Sequence, residues 1–325
     1  MVPVRTDLFT TQALKWFTAS KKTCDLKPWG TSVSRGFFLS LALPPDSEKD
    51  TQIMCLPNCR EFVSEKLSRR SFLNRAAVAT AGAMLPVSAK AQSTKSFSFS
   101  RVVDLTHRLT SDFPTFTGKP QLKLEDHNVG PRPTGYHAYH WSIDEHTGTH
   151  MDAPIHFGGK SSADQLPISD LVGPLAVVDI RSRASRDPDT RLTPDDLKSW
   201  EKKHGTLPEG GIVAMWSGWE EHLKTEKFRN ADVKGRMHFP GFHEEATDFL
   251  LLERRIKGIC VDTLSLDYGL AADFPVHCQW LGAGHWGMEC VARLDQLPAT
   301  GAYLIAGGPM IAGCSGGPSR VLALL

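Results

Sequence analysis

The chain has 325 residues, 41% hydrophobic and 22% charged, with a formal net charge of +1. This is ordinary composition for a soluble globular protein, large enough for one big domain or two small ones. Charge is unevenly placed: residues 1–92 hold 13 Lys+Arg against 7 Asp+Glu, and the remainder holds 24 against 29. Nothing after residue 92 has the basic, aromatic-laced surface of a nucleic-acid binder, which excludes that class.

Residues 1–53 show no periodicity and are read as an extension outside the fold, expected to be disordered. Residues 54–91 have the grammar of an export signal. Met54 opens the segment, and Ser68-Arg69-Arg70-Ser71-Phe72-Leu73 matches the twin-arginine pattern. The apolar run Ala76–Leu85 is far shorter than the roughly 20 residues a bilayer span needs. Ala89-Lys90-Ala91 is a small-x-small cleavage site, so the mature chain is expected to begin at Gln92. The expectation is therefore a periplasmic or secreted protein, exported folded by the twin-arginine machinery, with no stable membrane span. Residues 92–325 form the expected domain.

Within it, residues 101–106 read as a strand and the stretch from Phe113 to Gly118 as a loop. Tyr139, Trp141 and Ile143 alternate with His140, Ser142 and Asp144, a strand pattern with one apolar and one polar face. His146 follows on the polar side. Next comes His146-Thr-Gly-Thr-His150-Met-Asp152-Ala-Pro-Ile-His156-Phe157, with three imidazoles and one carboxylate inside eleven residues. A helix could align positions i and i+4. Gly148 and Pro154 argue instead for a tight turn, because mid-helix proline costs about 3 kcal/mol. A lone histidine is ordinarily a core or surface residue, but four candidate ligands in one turn point to a metal. Imidazole with carboxylate suits Zn²⁺ or Mn²⁺. Ligand histidines usually hand their other N–H to an acceptor, and His140 or Asp144 could supply one.

Leu166–Val172 reads as a short helical turn, Leu175–Ile180 as a buried strand and Arg181–Arg191 as a surface loop. Thr193-Pro194-Asp195-Asp196 opens a helix, with a Thr cap, Pro at the first position and acids in the first turn. Gly211–Trp216 is a strand ending at Ser217-Gly218-Trp219, where Trp219 either touches substrate or packs. His243–Arg254 has helical spacing, Gly258–Asp262 is a strand, and Ala302–Ala306 and Arg320–Leu324 are strands. Cys260, Cys278, Cys290 and Cys314 form no CxxC pattern and are expected to be buried or free thiols, with a disulfide possible.

The run from His146 to Phe157 closely resembles the signature of the cyclase family of metal-dependent hydrolases, which includes kynurenine formamidases and isatin hydrolases. The order Phe239-Pro240-Gly241, helix, Gly258–Asp267 is similar to the family too, so the resemblance extends from about residue 101 onward. It implies a single α/β domain of the swivelling β/β/α architecture, as a homodimer or larger homo-oligomer. It implies that His277 and Glu289, twelve residues apart, complete the metal site of His146, His150 and Asp152, with one or two ions. Phe116 falls where relatives carry an aromatic that packs on substrate. Cys290 stands where relatives often have Asn, and His285 where they often have an apolar residue.

The expected reaction is hydrolysis of a small amide, an aryl formamide or a cyclic amide such as isatin, by metal-activated water. Asp152 would bridge two ions. His156 would be the general acid/base, with a pKa suited to neutral pH. A lactone or ester hydrolase with the same site, or a non-catalytic exported metal-binding protein, remain alternatives; a closed, purely structural site would keep no open position.

Overall fold

A computed structural model describes residues 98–126 and 138–325. The expected extension over 1–53 and the export signal over 54–91 lie outside the described residues. In chain order the strands are β1 (Val102–Asp104), β2 (Leu122–Asp126), β3 (Tyr139–Ile143), β4 (His150–Asp152), β5 (Val172–Asp179), β6 (Arg191–Leu192), β7 (Ile212–Trp216), β8 (Gly241–Phe242), β9 (Gly258–Val261), β10 (Trp286–Glu289), β11 (Ala302–Gly307), β12 (Gly316–Pro318) and β13 (Arg320–Leu324). The α-helices are α1 (Arg181–Ala184), α2 (Pro194–His204), α3 (Glu244–Phe249) and α4 (Pro275–Gly282).

Nine strands make one mixed sheet in the order β1-β13-β11-β5-β7-β9-β10-β4-β12. Its centre, β5-β7-β9-β10, is parallel, and antiparallel strands flank both sides. β12 and β13 are separated in sequence by Ser319 alone, yet they stand near opposite ends of this order. A single residue advances the chain only about 3.5 Å, so the sheet must curl until its ends approach. The seam is bridged just beyond β1 and β10, where Ala292 N–H donates to Leu105 O at 2.9 Å beside an antiparallel bridge between Thr106 and Val291.

The parallel strands are apolar on both faces because both are covered. Leu175, Val177, Ile212, Ala214, Cys260 and Met288 belong to the core inside the curl. Their neighbours Ala176, Val178, Val213, Met215, Ile259 and Val261 pack with Leu197 and Trp200 of α2, Ala246 and Phe249 of α3, and Val276 and Trp280 of α4. Each Val, Leu, Ile, Met or Phe among them contributes roughly 1.5–3 kcal/mol on burial. α2 begins as expected, with Thr193 and Asp196 in a reciprocal capping box. The mixed α/β class expected from the sequence is the class observed.

One expectation is corrected. The alternation in β3 does not mark a buried face: Tyr139 and Trp141 are 60% and 58% exposed. β3 pairs only with β2, in a two-stranded ribbon apart from the main sheet, so the pattern has no core to face. Among the described residues Cys260, Cys278, Cys290 and Cys314 are free thiols. No helix of the described residues is long and apolar enough to cross a membrane.

Candidate active site

Residues His146 to Thr149 form a bend rather than a helix, with Gly148 at φ 70°. An L side chain is strained at that angle, and a Cβ there would also lie 2.8 Å from Leu109 Cδ1. The bend delivers the chain into β4. Strand periodicity of two then puts His150 and Asp152 on one face and Met151 on the other, in the core. β10 lies antiparallel to β4 with Glu289 directly opposite His150. α4 starts at Pro275 and carries His277 in its first turn. A pairing of strands and one helix N-terminus thus unite residues far apart in sequence.

The geometry is a ring. His150 Nε2 lies 3.3 Å from Asp152 Oδ1 and 3.3 Å from Glu289 Oε2. His277 Nε2 lies 3.5 Å from Asp152 Oδ2 and 3.1 Å from Glu289 Oε1. Each carboxylate therefore turns one oxygen to each imidazole. His146 adds Nδ1 at 2.7 Å from Asp152 Oδ1. None of His150, Asp152, His277 and Glu289 is more than 5% exposed.

Burying two carboxylates is costly without positive charge beside them. Burial alone would depress the His150 imidazole, but the facing Asp152 and Glu289 push it up to about 10. His277 is raised well above its ordinary value against the same burial, by the neighbouring carboxylates of Asp152, Asp267 and Glu289. Burial also opposes ionisation of Asp152 and Glu289, and both are nonetheless held low by the surrounding imidazoles. His150 Nε2 and Asp152 Oδ2 are buried without a hydrogen-bond partner. A ring of imidazole nitrogens and carboxylate oxygens that demands positive charge and leaves such atoms unpaired fits a divalent cation.

The outer nitrogens are anchored. His150 Nδ1–H donates to Gly148 O at 2.8 Å and His277 Nδ1–H to Asp267 Oδ2 at 2.6 Å. Asp267 also accepts from the backbone N–H of Val276 and His277, so it holds both the start of α4 and the ring upon it. Leu266 N–H donates to Glu289 Oε1 at 2.9 Å. These anchors, and Ser315 Oγ at 3.0 Å from His146 Nε2, replace His140 and Asp144 as partners of the ligand imidazoles. Sequence reasoning passed over them; the one signal for Asp267 was its place at the end of the Thr263–Asp267 run.

His156 stacks on His146, ring centroids 3.8 Å apart and 20° from parallel. Burial pushes its pKa down to about 4, so it is a neutral imidazole at pH 7 rather than one titrating near neutrality. The ligand atoms of His146, Asp152 and His156 lie within 4.8 Å of one another.

Over this centre opens a cavity of about 270 Å³, lined by Phe116, Phe157, Phe274, Leu264 and Cys290 together with the imidazoles. Phe274 links the aromatic wall, 6.0 Å from Phe116 and 5.5 Å from Phe157. It does so from φ 48°, immediately before Pro275, a conformation unfavourable for a bulky residue. Phe116 is thus at the cavity. Trp219 is not: it is buried, its indole N–H bonds Phe228 O at 2.8 Å, and it borders a separate groove. His285 packs on Trp280, 4.9 Å between rings, outside the cavity.

Comparison with known proteins gives a match to the Cyclase family over residues 103–268. The chain is 34% identical over 242 residues to the isatin hydrolase of Roseibium aggregatum, covering 69% of this chain and 91% of that protein. It is 26% identical over 223 residues to the kynurenine formamidase of Bacillus cereus, covering 68% and 95%. Among solved structures, isatin hydrolase A from Labrenzia aggregata bound to benzyl benzoate aligns with a TM-score of 0.66 and 38% identity, over 69% of this chain and 93% of that one.

Proposed function

The chain belongs to the Cyclase family, and from that membership we propose a metal-dependent hydrolase that opens the carbon–nitrogen bond of a small aromatic cyclic amide of the isatin type, with aryl formamides as the second substrate class. The observation that carries this reading is the ring of His150, Asp152, His277 and Glu289, set beneath an aromatic cavity with a neutral imidazole beside it.

His146, His150, Asp152, His277 and Glu289 would hold Mn²⁺ or Zn²⁺. The two-sided presentation of the Asp152 carboxylate, one oxygen toward His150 and the other toward His277, would suit one or two ions. When bound, the cation supplies Lewis acidity at the scissile carbonyl and lowers the pKa of the attacking water. The rest falls to the chain. Phe116, Phe157 and Phe274 hold a flat apolar substrate and exclude bulk water from the buried carboxylates. His156, uncharged at neutral pH, accepts a proton from the attacking water and returns it to the departing nitrogen.

The test is direct. Metal-loaded protein is assayed on isatin, an N-formyl arylamine and an aromatic lactone. Ring opening of isatin, with weaker formamide cleavage, is the expected result. Turnover of the lactone alone would redirect the reading to ester chemistry, and no turnover with either metal would leave only a metal-binding protein.

The proposal extends to placement and assembly. The twin-arginine pattern over residues 54–91 supports export to the periplasm or beyond, and N-terminal sequencing of exported protein should begin at Gln92. The exposed Leu124, Tyr139 and Trp141 of the β2–β3 ribbon support a homodimer or larger assembly, which sedimentation would measure.

A further inference from the structure

Three histidines are assigned to the cation, and they are not oriented alike. His150 and His277 give their Nδ1–H to Gly148 O and Asp267 Oδ2, which leaves Nε2 facing the ring. His146 is turned the other way. Its Nδ1 faces Asp152 Oδ1 at 2.7 Å, and its Nε2 faces Ser315 Oγ at 3.0 Å.

What decides the proton on His146 sits outside the ring. Ser315 donates twice to Glu145 Oε2, from its backbone N–H at 3.1 Å and from its hydroxyl at 2.5 Å. A hydroxyl has one proton. Once that proton is given to a carboxylate, Ser315 Oγ can only accept from His146, so Nε2 must carry the hydrogen. With a cation displacing any proton shared with Asp152 Oδ1, the neutral imidazole keeps its one N–H on Nε2, and the lone pair on Nδ1 is free to face the cage. The approach is close by construction. A Cβ on Gly316 would lie 2.7 Å from His146 Cε1, so only glycine lets β12 bring Ser315 this near. His156 closes against a face of the same ring.

We propose that Glu145 and Ser315 are positioning residues that make His146 a metal ligand through Nδ1, the ring nitrogen opposite to the one used by His150 and His277. The inference rests on the metal site proposed above. Neither residue touches substrate, and Glu145 acts only through Ser315. Since His146 and Ser315 are 169 residues apart, this device ties the metal motif to the segment that closes the sheet.

Metal-free full-length protein is titrated with Mn²⁺ and Zn²⁺ under chelator competition, for the unaltered chain, E145A, S315A and the double variant. Each single change is expected to weaken binding about 10–100-fold, the usual range for an outer hydrogen-bond partner of a ligand histidine. The double variant should bind no more weakly than S315A, because one pathway carries both effects. Long-range ¹⁵N–¹H spectra of the unaltered Zn²⁺-loaded protein should show His146 protonated at Nε2 and His150 and His277 protonated at Nδ1. Variants that bind within twofold of the unaltered protein, or a His146 protonated at Nδ1, overturn the assignment while leaving the metal site standing. Absence of any binding by the unaltered protein overturns both.

Discussion

His150 on β4 and Glu289 on β10 are direct cross-strand partners, and His150 Nε2 lies 3.3 Å from Glu289 Oε2. Strand register, not loop placement, therefore sets the spacing of the cage. A slip of one residue would turn His150 and Asp152 away together and bring Met151 into the centre.

Asp152 is the residue that His146, His150 and His277 share. Asp152→Ala should lose metal as well as activity, since it removes oxygens facing His146, His150 and His277 at once. Metal analysis of the purified variant is the check, and full occupancy there would refute a bridging role.

His156 is separable from the cage. His156→Ala should keep its metal and lose turnover by roughly 100-fold or more, the scale of a lost general acid/base. Metal content and kcat are measured on the same preparation. An unchanged rate would remove His156 from the reaction.

Phe274 joins a strained backbone to a cavity wall. Phe274→Gly and Phe274→Ala both remove the ring, and both should raise KM for an aromatic amide by up to about tenfold with kcat little changed, given aromatic contacts of roughly 0.5–1.5 kcal/mol. Only glycine relieves φ 48°, so the Gly variant should be more stable than the Ala variant by about 1 kcal/mol. Urea unfolding of the two variants reads that difference. An Ala variant as stable as the Gly variant would mean the angle stores no strain.

His107 makes the fold acid-sensitive. Burial pushes its pKa from the ordinary 6.5 down to about 4, Arg293 adds to the effect, and Glu220, 3.9 Å away, does not offset it. The unfolded chain takes up a proton below pH 6.5 that the folded chain refuses until about pH 4. Stability should therefore fall as pH drops through that window, by roughly 3 kcal/mol from this one group, and show no such contribution above it. Unfolding free energies at pH 7 and pH 4 are compared for the unaltered protein and His107→Leu. The variant should lose that much less, and equal losses would contradict the assignment.

The cluster of His146, His150, Asp152 and His156 was legible because these residues sit in one turn, where residue type and spacing speak for themselves. The long apolar strands β5, β7 and β9 were legible because burial on both faces leaves an unbroken hydrophobic run. β4 and β12 were not, since three residues carry no period. Asp267 and Ser315 were missed for another reason: an acceptor is defined by what it touches, and Ser315 meets His146 only after the sheet has curled. Trp219 looked like a site residue from its place at a strand end, but its indole turned into the core. His156 was expected to titrate near neutrality, a property that depends on how deeply the ring is packed rather than on its neighbours in sequence.

The curled sheet has a kinetic corollary. Its first strand is held by its last, through bonds that join Thr106 to Val321 across 215 residues and Ser100 to Leu325 across 225. A chain leaving the ribosome exposes the His146–His156 motif long before residues 315–324 exist to seal around it. Loop closure over such distances is slow, so residues 146–156 stay unshielded until the C-terminal strands have paired. Closure of the sheet around residues 146–156 is therefore tied to the last strands to be made, β12 and β13.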